Sequence, residues 1–293
     1  AGVGKTSERP RKKPTHHPLL LAVLAEELGC DTHEIVDFEL QVCDVQPSVI
    51  GGAAREFIYS GRLDNLASSF CALRALIAAG GGGGLTEETG VRMIALFDNE
   101  EVGSDSTAGA GGTVLSDALT RTTRALCNGG GGGGGGGEGL VERTLRNSFL
   151  VSADMAHALH PNYMDKHEPN HAPRMHQGVV VKHNANQRYA TTALTATLFR
   201  ECAAMEGIPT QEFVVRNDMG CGSTIGPILS TNMGVRTVDV GVPQLSMHSV
   251  REMCGTEDID ICFRHFTAFF DHFATIDAQM DDVDAMCVGN TMP

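Results

Sequence analysis

The sequence has no apolar run long enough to cross a membrane, and its first 18 residues hold no apolar core of the kind a signal peptide needs. Bases are few: 22 Lys and Arg stand against 36 Asp and Glu, for a formal net charge of −14. Nucleic-acid backbones are gripped by clustered cations, so this balance argues against such a partner. No C-x-x-C pair occurs among the nine cysteines, an odd number. Cys71, Cys202 and Cys262 lie inside apolar patterns, which reads as buried thiols of a cytoplasmic protein rather than a disulfide framework. The short zinc signature H-E-x-x-H is missing too. Gly-Lys-Thr at 4–6 lacks the first glycine and the preceding strand that a phosphate loop requires.

What is present is a chain of 293 residues, 42% hydrophobic, enough to bury a sizeable core. Residues 1–18 are basic and proline-rich and read as a disordered tail. Glycine runs at 80–84 and 129–137 read as flexible surface loops. Helices are expected over Leu19–Leu28, stopped by Gly29, and over Leu66–Ala79, with apolar positions at Leu66, Phe70, Leu73 and Ile77. Others are expected over Gly112–Leu126, over Tyr189–Met205 with a stripe of Leu194, Leu198, Cys202 and Met205, and over Asp258–Ile276 with a phenylalanine stripe. The acidic tail after Ile276 reads as loose. Strands are expected at Val91–Phe97, Phe149–Val151, Val179–Lys182, Phe213–Val215 and Val235–Val240, with a weak one at Phe38–Val45. Strands alternating with helices indicate an α/β fold, a mixed sheet sandwiched by helices.

The chemistry concentrates at the ends of strands, where open α/β sheets place their sites. Val91–Phe97 runs into Asp98-Asn99-Glu100-Glu101. Side chains alternate in extended chain, so Glu100 and Glu101 should diverge, one free to bind a cation and the other to face a water. A solvated acidic turn is the other reading. Asp154 follows the second strand and His248 the last, and Asp64 stands at a helix start, where it could equally be a cap. Carboxylates with imidazole suit zinc, manganese or cobalt. His167 and His171 have a helical zinc spacing, but Pro169 between them favours a hydrogen-bonded loop. Lys182 is unusual in an apolar strand, since lysine is rarely buried without a partner. Gly222–Gly226 either offers backbone N–H groups to a carboxylate or simply opens a helix.

The stretches RLDNL (62–66), DNEEVGS (98–104), SADMAHALHPNY (152–163), DKHEPNH (165–171), QRYAT (187–191), VRNDMGCGSTIGPIL (215–229) and PQLSMHSVREM (243–253) closely resemble the aspartyl aminopeptidase family of dinuclear zinc exopeptidases. The resemblance implies that Asp64 bridges two zinc ions, that Glu101 and His248 bind one, and that Asp154 binds the other. It makes Glu100 the general base and His157, Lys182 and Tyr189 substrate contacts. It implies peptides with N-terminal Asp or Glu as substrates, a tetrahedral homo-dodecamer, and a lid or dimerisation domain, of which 19–55 is a remnant beside a catalytic domain at 56–293. The family's His-x-Asp pair does not occur, so the chain reads as the C-terminal part of a longer protein, with one zinc held rather than two. A non-catalytic assembly subunit is the alternative function.

Overall fold

The computed structural model describes residues 16–81, 85–86, 88–128 and 139–289, the last nine of these as backbone. The basic segment 1–15, Gly82–Gly84 and Gly129–Gly137 lie outside the described residues, while Gly80 and Gly81 are helical. Two compact units divide at Val45/Gln46. The N-terminal unit contains α1 (Pro18–Leu28), which ends as expected on Gly29 in the left-handed conformation. Phe38–Val45 forms no strand, and Leu40, Val42 and Val45 are exposed.

The second unit contains β1 (Val49–Gly51), β2 (Phe57–Ser60), α2 (Leu63–Gly81), α3 (Val114–Asn128), α4 (Leu140–Asn147), β3 (Phe149–Ala153), β4 (Ala156–His157) and β5 (Val179–His183). It continues through α5 (Ala193–Met205), β6 (Thr210–Val214), α6 (Ile225–Met233), β7 (Arg236–Gly241), β8 (Pro243–Leu245), β9 (Glu252–Gly255) and α7 (Thr256–Gly289). Both sheets are mixed, one ordered β3-β7-β5-β6 and the other β1-β2-β9-β8-β4. Two chain paths run from one sheet into the other, β3 into β4 and β7 into β8. The ladder persists across the junction: Asp154 donates to Val240 O at 3.0 Å, Ala156 to Val242 O at 2.9 Å and Ala158 to Gln244 O at 2.8 Å. Gly241 permits this close pairing, because a Cβ there would lie 2.0 Å from the Asp154 carbonyl oxygen.

Alternation along the strands assigns the two faces. Val238 and Val240 of β7 and Val179 and Val181 of β5 join Ala67, Cys71 and Ala75 of α2, Phe199 of α5 and Cys262 and Phe266 of α7 in the main core. Leu150 of β3 points the other way, into a smaller cluster with Leu115 of α3 and Leu229 of α6. The sheet is thus covered by helices on both faces, the expected sandwich.

Other elements also differ from expectation. Val91–Phe97 is not laddered to any described strand: Met93 and Phe97 pack on the smaller cluster while Val91 and Leu96 are exposed. An apolar run specifies burial, but a strand also needs a neighbour for its N–H groups. The α5 helix begins at Ala193, not Tyr189, because Thr192 and Thr195 form a capping box. Helix α7 runs on to Gly289, past the acidic tail's expected start. On α2 the large residues do not face the core: Phe70 is 56% exposed and Ile77 61%. Small residues at 67, 71 and 75 let α2 approach α7 closely, and size rather than apolarity selects the packed face. No helix among the described residues is long and apolar enough to cross a membrane.

This packing makes an unequal pair of phenylalanines. Phe199→Ala should lower the urea unfolding free energy by about 3–5 kcal/mol through cavity formation. Phe70→Ala should change it by no more than about 0.5 kcal/mol, as at an exposed site. Equal losses would show that α2 presents its other face to the core.

Candidate metal centre

The site gathers around the junction of the two sheets. Asp64 departs from helical geometry inside α2 (φ −85°, ψ 107°), so its carboxylate swings away from the helix start. It pairs with His248 instead of capping: His248 Nε2 lies 3.2 Å from Asp64 Oδ2 and 3.3 Å from Glu101 Oε2. One donor atom from each of Asp64, Glu101 and His248 falls within 4.8 Å of the others, the only such grouping of three among the described residues. His248 is in the left-handed region at φ 63°, on the turn between β8 and β9. Glu100 and Glu101 occupy a turn rather than extended chain, closed by Gly103 N–H to Asn99 O at 2.7 Å.

Charge is crowded here. Asp64 is pushed well above the ordinary carboxylate range, first by burial, then by Asp154, and further by Glu101 and Glu252. Its Oδ1 is buried with no hydrogen-bond partner, an oxygen that a cation would satisfy. Two carboxylates and an imidazole are a donor set that zinc accepts, with a position left for water. The residues therefore fit one zinc ion.

Asp154 stands at the end of β3 but outside the group of three. Lys182 Nζ is 3.6 Å from its Oδ2. Burial works against the Asp154 charge, yet the Lys182 ammonium, the Asp64 contact and the Met155 amide outweigh it and hold the group below its usual value. Glu100 is raised, by burial first, then by Asp154 and Glu101, with His248 and Lys182 opposing. Lys182 is 3% exposed, and its ammonium lies 5.4 Å from the centroid of the Tyr189 ring. Burial raises the Tyr189 phenol further, as does Cys221, whose Sγ is 3.3 Å from Oη. His157 on β4 is lowered by burial and then by the charges of Lys182, His167 and His248.

Other candidates lie elsewhere. His171 is in a loop, its Nδ1 2.5 Å from Glu168 Oε2, and neither it nor His167 joins a group of three potential ligands among the described residues. Gly222–Gly226 leads into α6, and Thr224 Oγ1 donates to the buried Asp239 at 2.6 Å. Asp239 also accepts from Ala190 N–H at 2.6 Å, which ties down the loop carrying Tyr189. Sequence reasoning passed over Asp239 and also Glu252, which accepts the backbone N–H of Asp64 and of His248, each at 2.9 Å. Asp239 in an apolar strand is detectable by the same logic as Lys182; Glu252 has no such signal.

The model of the aminopeptidase I zinc metalloprotease (M18) family matches residues 2–270. The probable aspartyl aminopeptidase of Ricinus communis is 59% identical over 266 residues, which cover 90% of this chain and 52% of that protein. Among solved structures, the chain is similar to one from a complex of Ape4 and Nbr1, with a TM-score of 0.84, 42% identity, and coverage of 94% and 52%. It is also similar to the S. cerevisiae mApe1 dodecamer, with a TM-score of 0.75, 30% identity, and coverage of 90% and 57%. The chain thus spans about half the length of the relatives it matches. With a sandwich fold shared with those structures and a carboxylate–imidazole group beside its sheet junction, the chain belongs to the M18 family of aminopeptidase I zinc metalloproteases.

Proposed function

We propose that the chain carries the catalytic machinery of an aspartyl aminopeptidase, which removes N-terminal Asp or Glu from peptides. The observation that supports this best is the grouping of Asp64, Glu101 and His248 around one point, with a buried lysine, Lys182, on β5. Residues 56–293 are taken as the catalytic domain and 19–55 as the remnant of a lid or dimerisation domain. Homo-oligomeric assembly is part of the reading, by extension from the dodecameric relative. A cytoplasmic setting is supported by the buried free thiols Cys71, Cys202, Cys254 and Cys262.

In this reading Asp64, Glu101 and His248 would hold zinc, and Asp154 with Asp64 would form a weaker second position. Zinc held by these residues would supply Lewis acidity, polarising a carbonyl and making water a better nucleophile at neutral pH. Glu100 takes the proton of the attacking water and returns it to the leaving amine; its raised affinity for protons suits both duties. Lys182 divides its charge between Asp154 and the side-chain carboxylate of the substrate, while Tyr189 and His157 border that pocket. A lysine buried this deeply needs a carboxylate partner, and an acidic substrate supplies a second one.

Glu100→Gln should lower kcat by about 10²–10⁴-fold, the usual cost of losing a general base, with bound zinc unchanged by elemental analysis. Loss of zinc in parallel would make Glu100 a ligand. Lys182→Met should raise KM for aspartyl anilides far above its effect on neutral aminoacyl anilides, because an ion pair broken on one side costs about 3–5 kcal/mol. A matching loss on both substrates would sink the specificity role. Dialysed protein should retain one zinc per chain, and two tightly held ions would mean that Asp154 has a further partner.

A further inference from the structure

Glu252 is the first residue of β9 and is 2% exposed. Its place in the ladders explains its reach. Opposite it stands Ser60, the last residue of β2, immediately before the link that leads to Asp64. On its other side, β8 and β9 pair antiparallel through Gln244 and Leu245, and the turn between them carries His248. The carboxylate lies between these two segments. Oε2 accepts the Asp64 N–H and Oε1 the His248 N–H, each at 2.9 Å. Gln244 Nε2 lies 3.5 Å from Oε1.

Packing supports the two residues unequally: the Asp64 side chain is buried, whereas His248 has little to rest on. The His248 side chain is 65% exposed, and its backbone adopts a left-handed conformation, φ 63°, that a non-glycine residue holds only at a cost. Asp64 sits in a break within α2, where a helical N–H partner is not available to it. A bond from a backbone N–H to an ionised carboxylate is about twice as strong as a neutral one, and it fixes the φ of the donor residue. A negative charge behind the ligands also raises their attraction for a cation.

We infer that Glu252 is the positioning residue of the metal centre, one buried carboxylate that grips the backbones of two ligands 188 and 4 residues away and so sets the distance between the Asp64 and His248 side chains. This rests on the reading that those two side chains hold zinc. Glu252 itself stands outside the group of three. Its role is to keep a two-loop site at one spacing while the ligands themselves are exposed or unsatisfied.

Zinc affinity tests this apart from catalysis, by competition with a chromophoric chelator on the whole chain. Glu252→Gln keeps one acceptor oxygen but turns an amide NH₂ toward the other N–H. It should weaken zinc binding by about 10–100-fold, the range for residues that orient ligands, with far-UV circular dichroism and the melting transition preserved. Affinity within twofold of the parent would overturn the inference, whereas failure of the parent to bind zinc would instead overturn the reading of the metal centre. Should the variant not fold, amide hydrogen exchange on the parent decides. The His248 and Asp64 amides should exchange slowly although the His248 side chain faces solvent; fast exchange of either would show that the carboxylate does not hold it.

Discussion

Carboxylates gathered in a half-buried hollow repel one another, and the site is organised by that repulsion. Two like charges 4 Å apart cost about 4 kcal/mol at the dielectric typical of a protein surface region. Asp64, Glu101, Asp154, Glu252 and Glu100 all contribute to the field here. Lys182 and His248 oppose this field at Glu100, and Lys182 already leans on Asp154. Asp64 is left with a raised proton affinity and a buried, unpartnered oxygen. A divalent cation relieves the whole group at once, which no single proton can do.

The fold makes the crowding possible. Strands β3 and β7 cross together from one sheet into the other, and the ladder between them continues through Asp154 and Val242. Asp154 is therefore presented from a rigid junction rather than from a free loop. The helix α2 approaches closely because its inner face is alanine and cysteine, and this brings its broken first turn, with Asp64, over the same junction. A larger residue at Gly241 would force the β3–β4 and β7–β8 paths apart.

Much of this was legible in the sequence. Short apolar runs located β3, β5, β6 and β7, and the phenylalanine stripe located the buried face of α7. Lys182 declared itself by being a lysine among valines. Asp64, Glu101 and His248 did not, because ligands spread over 185 positions make no local pattern; motif resemblance picked them out, and the structure brings them together. The face of α2 was misread because a helical wheel weighs apolarity and not volume. Glu252 was invisible for a different reason. What matters is the pair of backbone amides its carboxylate reaches, and no side-chain pattern encodes the positions of amides.

The spread of the three ligands also bears on how the molecule folds. Asp64 and the β9 carboxylate that receives its amide are 188 residues apart, and β3 must find β7 across 87 positions in parallel register. Such contacts form late, after the local helices, because long loops must close before they are rewarded. Three side chains can meet only once both sheets have joined. If the three hold zinc as proposed, metal capture would be the final event on the folding path, and a chain holding an ion at this point would have completed its topology.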